Sequence, residues 1–331
     1  MSTNGYPRPG EAFESSYYED PHDIETDWPR PRQRYWLHVL LFLLTLLSAT
    51  VVGAGLQESF AANRPTNFDA DLYGYVRMWH DPWFLLQGLP FSVTLLTILM
   101  AHEMGHYLTA RHYRVDVSLP YFLPAPTLIG TLGAFIRIRS AVYSKRVLFD
   151  IGIAGPLAGF LTLLAPLAVG LSLSKVAPGL VHRGDLIFGN PLLLRCFELV
   201  RFPGVPAGDI YLHPVARAAW VGLLATALNL LPIGQLDGGH ILYSFVGEKM
   251  RWLSRIFVAL LVPMGFYFAY SWFVWAALLF FFGMRHPVIY DPYPIGRTRT
   301  WLGIAALLIL ILSFTLSPVR ANGFEGKCFL T

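Results

Sequence analysis

Apolar residues fall along this chain in long unbroken runs, not in the short alternating patterns of a half-buried sheet. A run of about 20 apolar residues is long enough to cross a bilayer as a helix. The first is Tyr35–Ala54, entered through Arg30, Arg32 and Arg34. A polar connection follows to about Asp81, and a second run extends from Trp83 to about Ala110. Residues 118–140 are also apolar, but Pro120, Pro124, Pro126, Gly130 and Gly133 interrupt them. Proline removes a backbone donor and breaks a helix. The segment is therefore predicted as two short extended runs joined by a turn, lying on or dipping into the membrane. A third run covers about Val147–Leu173, and 175–212 reads as an extramembrane insert too short for a typical domain. A fourth covers Val215–Leu231. Trp252–Met284 is long for one helix and is read as two crossings turning near Tyr270–Ser271; a last run covers Trp301–Leu316. The pattern predicts an all-α polytopic membrane protein with about six to seven transmembrane helices and a membrane-associated β-hairpin-like segment near 118–140.

Composition agrees. Of 331 residues, 54% are hydrophobic and 14% charged, against about 25% charged in soluble domains. A net charge of +4, scattered over loops, gives no basis for nucleic-acid binding. The cations instead sort by loop. Arg111, Arg114, Arg137, Arg139, Lys145 and Arg146 lie between the second and third runs, Lys249, Arg251 and Arg255 after the fourth, and Arg285, Arg297 and Arg299 before the last. All share one side if the N-terminus is cytoplasmic, as the excess of cations in cytoplasmic loops requires. Residues 1–34, rich in Pro, Tyr, Ser and charge and without an apolar leader, are expected to be a disordered cytoplasmic tail. Cys196 and Cys328 lack any close metal-type spacing; they form one disulfide or stay as two free thiols.

The second run ends in "AHEMGH", which places His102, Glu103 and His106 among apolar neighbours. Residues four apart share a helix face, so His102 and His106 present two nitrogens to one metal ion, with Glu103 beside them. Zinc acidifies the water it binds, and Glu103 is placed to take that water's proton and return it to a leaving amine. Ionisable residues inside a membrane are costly, which favours a functional reading over a snorkelling helix end. A catalytic zinc usually has three protein ligands. Asp237, in "LDGGH" at the end of the fourth run, is the carboxylate at matching depth; His240 is the alternative. Two nitrogens and one carboxylate oxygen suit zinc, and iron(II) uses a similar set. Asn229 serves either to hold a substrate backbone or oxyanion, or to make an interhelical hydrogen bond. Gly155 and Gly159 in "GPLAGF" form a small-xxx-small pair that lets a neighbouring helix approach closely.

Together, "HEMGH", "GPLAGF" and "NLLPIGQLDGGH" resemble the three signature regions of the site-2 protease family of intramembrane zinc metalloproteases. The likeness runs from about 83 to 245 and is strongest to a PDZ-lacking bacterial branch, similar to the chloroplast ethylene-dependent gravitropism-deficient and yellow-green proteases. It implies one zinc held by His102, His106 and Asp237, Glu103 as catalytic base and Asn229 in support. Leu230 stands where the commonest family pattern has proline, and the proline comes later, at Pro232. The organisation expected is a tail (1–34), a first transmembrane helix (35–54), a catalytic membrane core (83–245) with the insert 175–212, C-terminal helices (252–317) and a tail (318–331). The resemblance implies hydrolysis within transmembrane segments of protein substrates in a bacterial cytoplasmic membrane, near its cytoplasmic face. The rival reading is a zinc-binding inactive homologue acting as a membrane scaffold.

Overall fold

The computed structural model describes residues 33–65, 68–126, 129–180, 183–184, 186–282, 289, 291 and 293–321. The expected tail up to residue 32 and Cys328 lie outside the described residues; Cys196 is an exposed free thiol. Ten α-helices are described: α1 (Tyr35–Ala61), α2 (Phe68–His80), α3 (Leu89–His112), α4 (Lys145–Ser172), α5 (Leu192–Arg201), α6 (Pro214–Asn229), α7 (Asp237–Val246), α8 (Met250–Tyr267), α9 (Ser271–Phe282) and α10 (Arg297–Ser313). Six short strands accompany them: β1 (Tyr121–Pro124), β2 (Thr131–Phe135), β3 (Lys175–Val176), β4 (Leu186–Phe188), β5 (Ile210–Tyr211) and β6 (Val319–Ala321).

Among the described residues, three helices are long and apolar enough to cross a membrane: α1, α4, and α3 continued backwards through a short 3-10 helix to Pro82. The break between α8 and α9 falls at the expected Tyr270–Ser271 turn. The helix α6 has only 16 residues, about 24 Å at 1.5 Å per residue. Most of its residues are buried, and it packs on α3, α4 and α10. A helix enclosed by protein need not match the bilayer, because its irregular ends find partners inside the fold.

The centre of the molecule is α4, which touches α3, α5, α6, α7 and α10. Its small residues set the spacing. A Cβ on Gly155 would land on the His106 ring, and one on Gly159 would lie 3.1 Å from His102 Cβ. From the other side, a Cβ on Gly105 would press to 2.5 Å from the Ala154 carbonyl oxygen. The expected small-xxx-small contact therefore exists, and its partner is the metal-motif helix α3.

The segment 118–140 folds as an antiparallel hairpin pairing Tyr121 with Phe135 and Leu123 with Gly133, with an irregularity before Pro124. Its turn uses Gly130 at φ +78°, a left-handed conformation open to glycine without steric cost. Three features depart from the sequence reading. The expected polar connection to Asp81 contains α2, and the insert contains α5. Residues 319–321, expected as tail, form β6 and pair with β4 of the insert.

Candidate metal centre

In α3, His102, Glu103 and His106 are all buried, 5–6% exposed. His102 and His106 stand one turn apart with Glu103 beside the first, on a helix whose other buried residues are apolar apart from Ser92. The third ligand arrives by a different route from the expected one. Instead of ending the fourth span, Asp237 opens a new helix, α7. The chain leaves α6 at Asn229, turns through Gly234 at φ +48°, and is held there by the Gly234 N–H donating to Ser254 Oγ at 3.0 Å. The two glycines after Asp237 tuck α7 beneath this turn. A Cβ on Gly238 would strike the Leu230 carbonyl, and one on Gly239 would sit 2.8 Å from the Ile233 carbonyl oxygen. A carboxylate in the first turn of a helix also gains from the helix dipole.

Three ligand atoms converge. His102 Nε2 and His106 Nε2 are 3.1 Å apart, and Asp237 Oδ2 is 3.2 Å from the first and 3.3 Å from the second. Tetrahedral ligands about 2.0–2.1 Å from a zinc ion are separated by about 3.3 Å, so the spacing fits. The tautomer fits too. His106 Nδ1 lies 2.7 Å from the Ile151 carbonyl oxygen. A carbonyl only accepts, so Nδ1 carries the hydrogen and Nε2 keeps its lone pair for a metal. Pro156 has no N–H to offer the Gly152 carbonyl, so the helical ladder is loosened here, beside the carbonyl that serves His106. Among the described residues, His102, His106 and Asp237 form the one group of His, Cys, Asp and Glu suited to a metal ion. His240, the alternative ligand, lies one turn further along α7 and outside that group.

Asn229 is brought to the site: its Nδ2 is 3.2 Å from His102 Nε2. Glu103 faces a cavity of about 180 Å³, lined also by Leu132, Gly133 and Ala134 of β2, Asn229 of α6 and Trp275 of α9. The backbone amide of Ile136, just past β2, is directed at the Glu103 carboxylate. The sequence reading gave no role to Ile136 or to the Ile151 carbonyl. Backbone partners leave no residue-type signature, and only the glycines of "GPLAGF" marked where α4 had to approach.

A family model described as Peptidase family M50 matches residues 90–271, a segment that contains His102, Glu103, His106, Asn229 and Asp237. The chain is similar to the probable zinc metalloprotease EGY1, chloroplastic, of Arabidopsis thaliana: 30% identical over 316 residues, 90% of this chain and 55% of that protein. The protein of the same description from Oryza sativa subsp. japonica is 32% identical over 240 residues, 68% of this chain and 40% of the relative. The probable zinc metalloprotease EGY2, chloroplastic, of Arabidopsis thaliana is 31% identical over 257 residues, 73% of this chain and 44% of the relative. The chain spans about half the length of these curated relatives.

Proposed function

The chain belongs to peptidase family M50, the site-2 protease family, and on that premise we propose that it is an intramembrane zinc metalloprotease. It hydrolyses peptide bonds within transmembrane segments of other proteins. The observation that carries this reading is the meeting of three metal-ligand atoms and a buried glutamate beside one apolar-walled cavity.

His102, His106 and Asp237 hold one zinc ion. When bound, zinc supplies Lewis-acid polarisation and acidifies water. Glu103 takes a proton from the attacking water and delivers it to the departing amine, a transfer worth typically 10²–10⁴-fold in rate. Asn229, beside His102, donates its amide to the substrate carbonyl. A helical peptide bond is shielded by its own hydrogen bonds, so the substrate segment unwinds before it is cut. The groups freed by unwinding need partners within the membrane. Strand β2 offers them by β-augmentation: it pairs with β1 alone among the described residues, and Leu132–Ala134 line the cavity.

The helices α6, α8, α9 and α10 complete a membrane core of six to seven crossings around α1, α3 and α4. The N-terminus and the metal centre lie on the cation-rich side, with the site near the cytoplasmic face of a bacterial membrane; the relatives are described as chloroplastic. The intact Glu103 favours a protease over an inactive scaffold, because a helix binder has no use for a buried carboxylate beside the metal. The test is cleavage of a single-span protein in zinc-supplied liposomes. Wild type is expected to cut it and Glu103→Gln to leave it intact with zinc still bound. Equal cleavage by both, or zinc binding by wild type without cleavage of any single-span protein, overturns the reading.

A further inference from the structure

Helix α1 precedes the segment matched by the family model, yet it is built against the hairpin at the site. His38 Nδ1 is 3.1 Å from the Pro120 carbonyl oxygen, so the ring donates there. The His38 ring also lies over Tyr121, with centroids 4.1 Å apart. One turn along, Phe42 meets Phe122 edge to face at 5.2 Å. Further along, Ser48 Oγ donates to the Gly130 carbonyl at 2.5 Å. Ala49 fits so closely under the turn that its backbone nitrogen would lie 2.7 Å from a Cβ at Gly130. His38, Phe42, Ser48 and Ala49 thus grip β1 at its start and at the hairpin turn, along about 15 Å of α1.

The environment of His38 is unfavourable to its second nitrogen. The residue is 6% exposed, and its Nε2 is buried without a hydrogen-bond partner among the described residues. An unpaired buried nitrogen is costly. A leucine would fill the space without that cost, so what histidine adds is the bond to Pro120. The bonds from His38 and Ser48 both end on carbonyls of the hairpin segment, Pro120 just before β1 and Gly130 in the turn just before β2. Neither touches β2, whose outer edge is left towards the cavity.

We infer that α1 is a splint that sets the register and height of β2 against Glu103, with His38 and Ser48 as positioning residues for the unwound substrate strand. This rests on the reading of β2 as the substrate-pairing edge. In a His102–Glu103 site the scissile carbonyl must arrive within about 3–3.5 Å of the attacking atom. A strand paired to β2 can meet that demand only if β2 itself is fixed.

The test uses the full chain in liposomes, with Cys196→Ser and Cys328→Ser, and a single-span Leu/Ala segment carrying one cysteine. Ala134→Cys is crosslinked to that cysteine in the Glu103→Gln background, so that the substrate persists. The wild-type α1 is expected to give a crosslink confined to one or two substrate positions. His38→Leu with Ser48→Ala is expected to spread the crosslink over several positions. In the Glu103 form, the same pair is expected to lower kcat about three- to tenfold, the scale of one or two net hydrogen bonds. Its zinc should stay at one ion per chain. His38→Asn with Ser48→Thr, which keeps both donors, restores the wild-type pattern. An unchanged crosslink pattern and kcat in the Leu/Ala pair overturns the splint while leaving the β2 edge standing. No crosslink from Ala134→Cys at any substrate position overturns the β2 edge and the splint with it. Loss of zinc in the Leu/Ala pair overturns the splint in favour of a purely structural α1.

Discussion

At the scale of single residues, the centre is governed by what is missing as much as by what is present. Gly155 has no side chain where His106 Nε2 needs space, and no rotation of His106 relieves an added methyl without giving up either Ile151 or the metal position. Gly155→Ala is therefore expected to weaken zinc binding about 10–100-fold, the scale at which a histidine's supporting partners matter; competition with a chelator measures it, and unchanged affinity contradicts the seat assigned to Gly155. Asn229 separates two roles. As a donor to the substrate carbonyl it sets kcat, so Asn229→Ala is expected to lower kcat about 10²-fold with zinc content and melting temperature held. A fall in melting temperature with kcat retained would assign it to helix packing. His102, Glu103 and His106 were legible in the sequence because an i, i+4 pair on a helix is a purely local relation. Asp237 was legible only through depth, by matching the polar ends of two apolar runs. The hydrogen that fixes the His106 tautomer was not legible, since it goes to a main-chain carbonyl that any residue type supplies.

Among the elements, the turn between α6 and α7 does the most for the site. Pro232 and Gly234 break a helix, and the fourth run, Val215–Leu231, ends within two residues of the α6 terminus at Asn229. The new helix after the break was not legible: α7 has ten residues, short enough to be taken for the frayed end of its predecessor. The strand pair β4–β6 was hidden for another reason, because it joins residues 186–188 to 319–321 and no local pattern announces a partner so distant. The hairpin at 121–135 was legible because three prolines and two glycines exclude a spanning helix. Gly238→Ala tests the turn. Its Cβ would strike the Leu230 carbonyl, so the α7 N-terminus and Asp237 must move. The expected result is loss of stoichiometric zinc together with a lower melting temperature, whereas Gly204→Ala, in an open loop of the insert, is expected to retain zinc.

Across the whole molecule, the cation-rich end is tied together by one carboxylate. Asp150 of α4 receives Arg299 of α10 through Nε at 2.8 Å and Nη2 at 2.6 Å, and the Tyr113 hydroxyl at 2.6 Å. That last bond holds the Tyr113 phenol above its ordinary pKa. Asp150 neighbours Ile151, so the clamp joining α3, α4 and α10 also steadies the carbonyl that orients His106. Asp150→Asn is expected to cost about 2 kcal/mol, the scale of a charged hydrogen bond. Chemical denaturation in detergent measures it, and a change under about 0.5 kcal/mol would make the clamp a surface pair of no consequence. The proposed function requires that the ligands and the glutamate serve bonds that lie in the membrane. Mapping the cut in a single-span protein reconstituted with the enzyme tests that claim most directly, by mass spectrometry of both fragments with Glu103→Gln as control. The expected result is a cut within the apolar segment, in its half nearer the cation-rich side, and none with the variant. A cut only in the water-exposed flanks, or the same cut with Glu103→Gln, would contradict it.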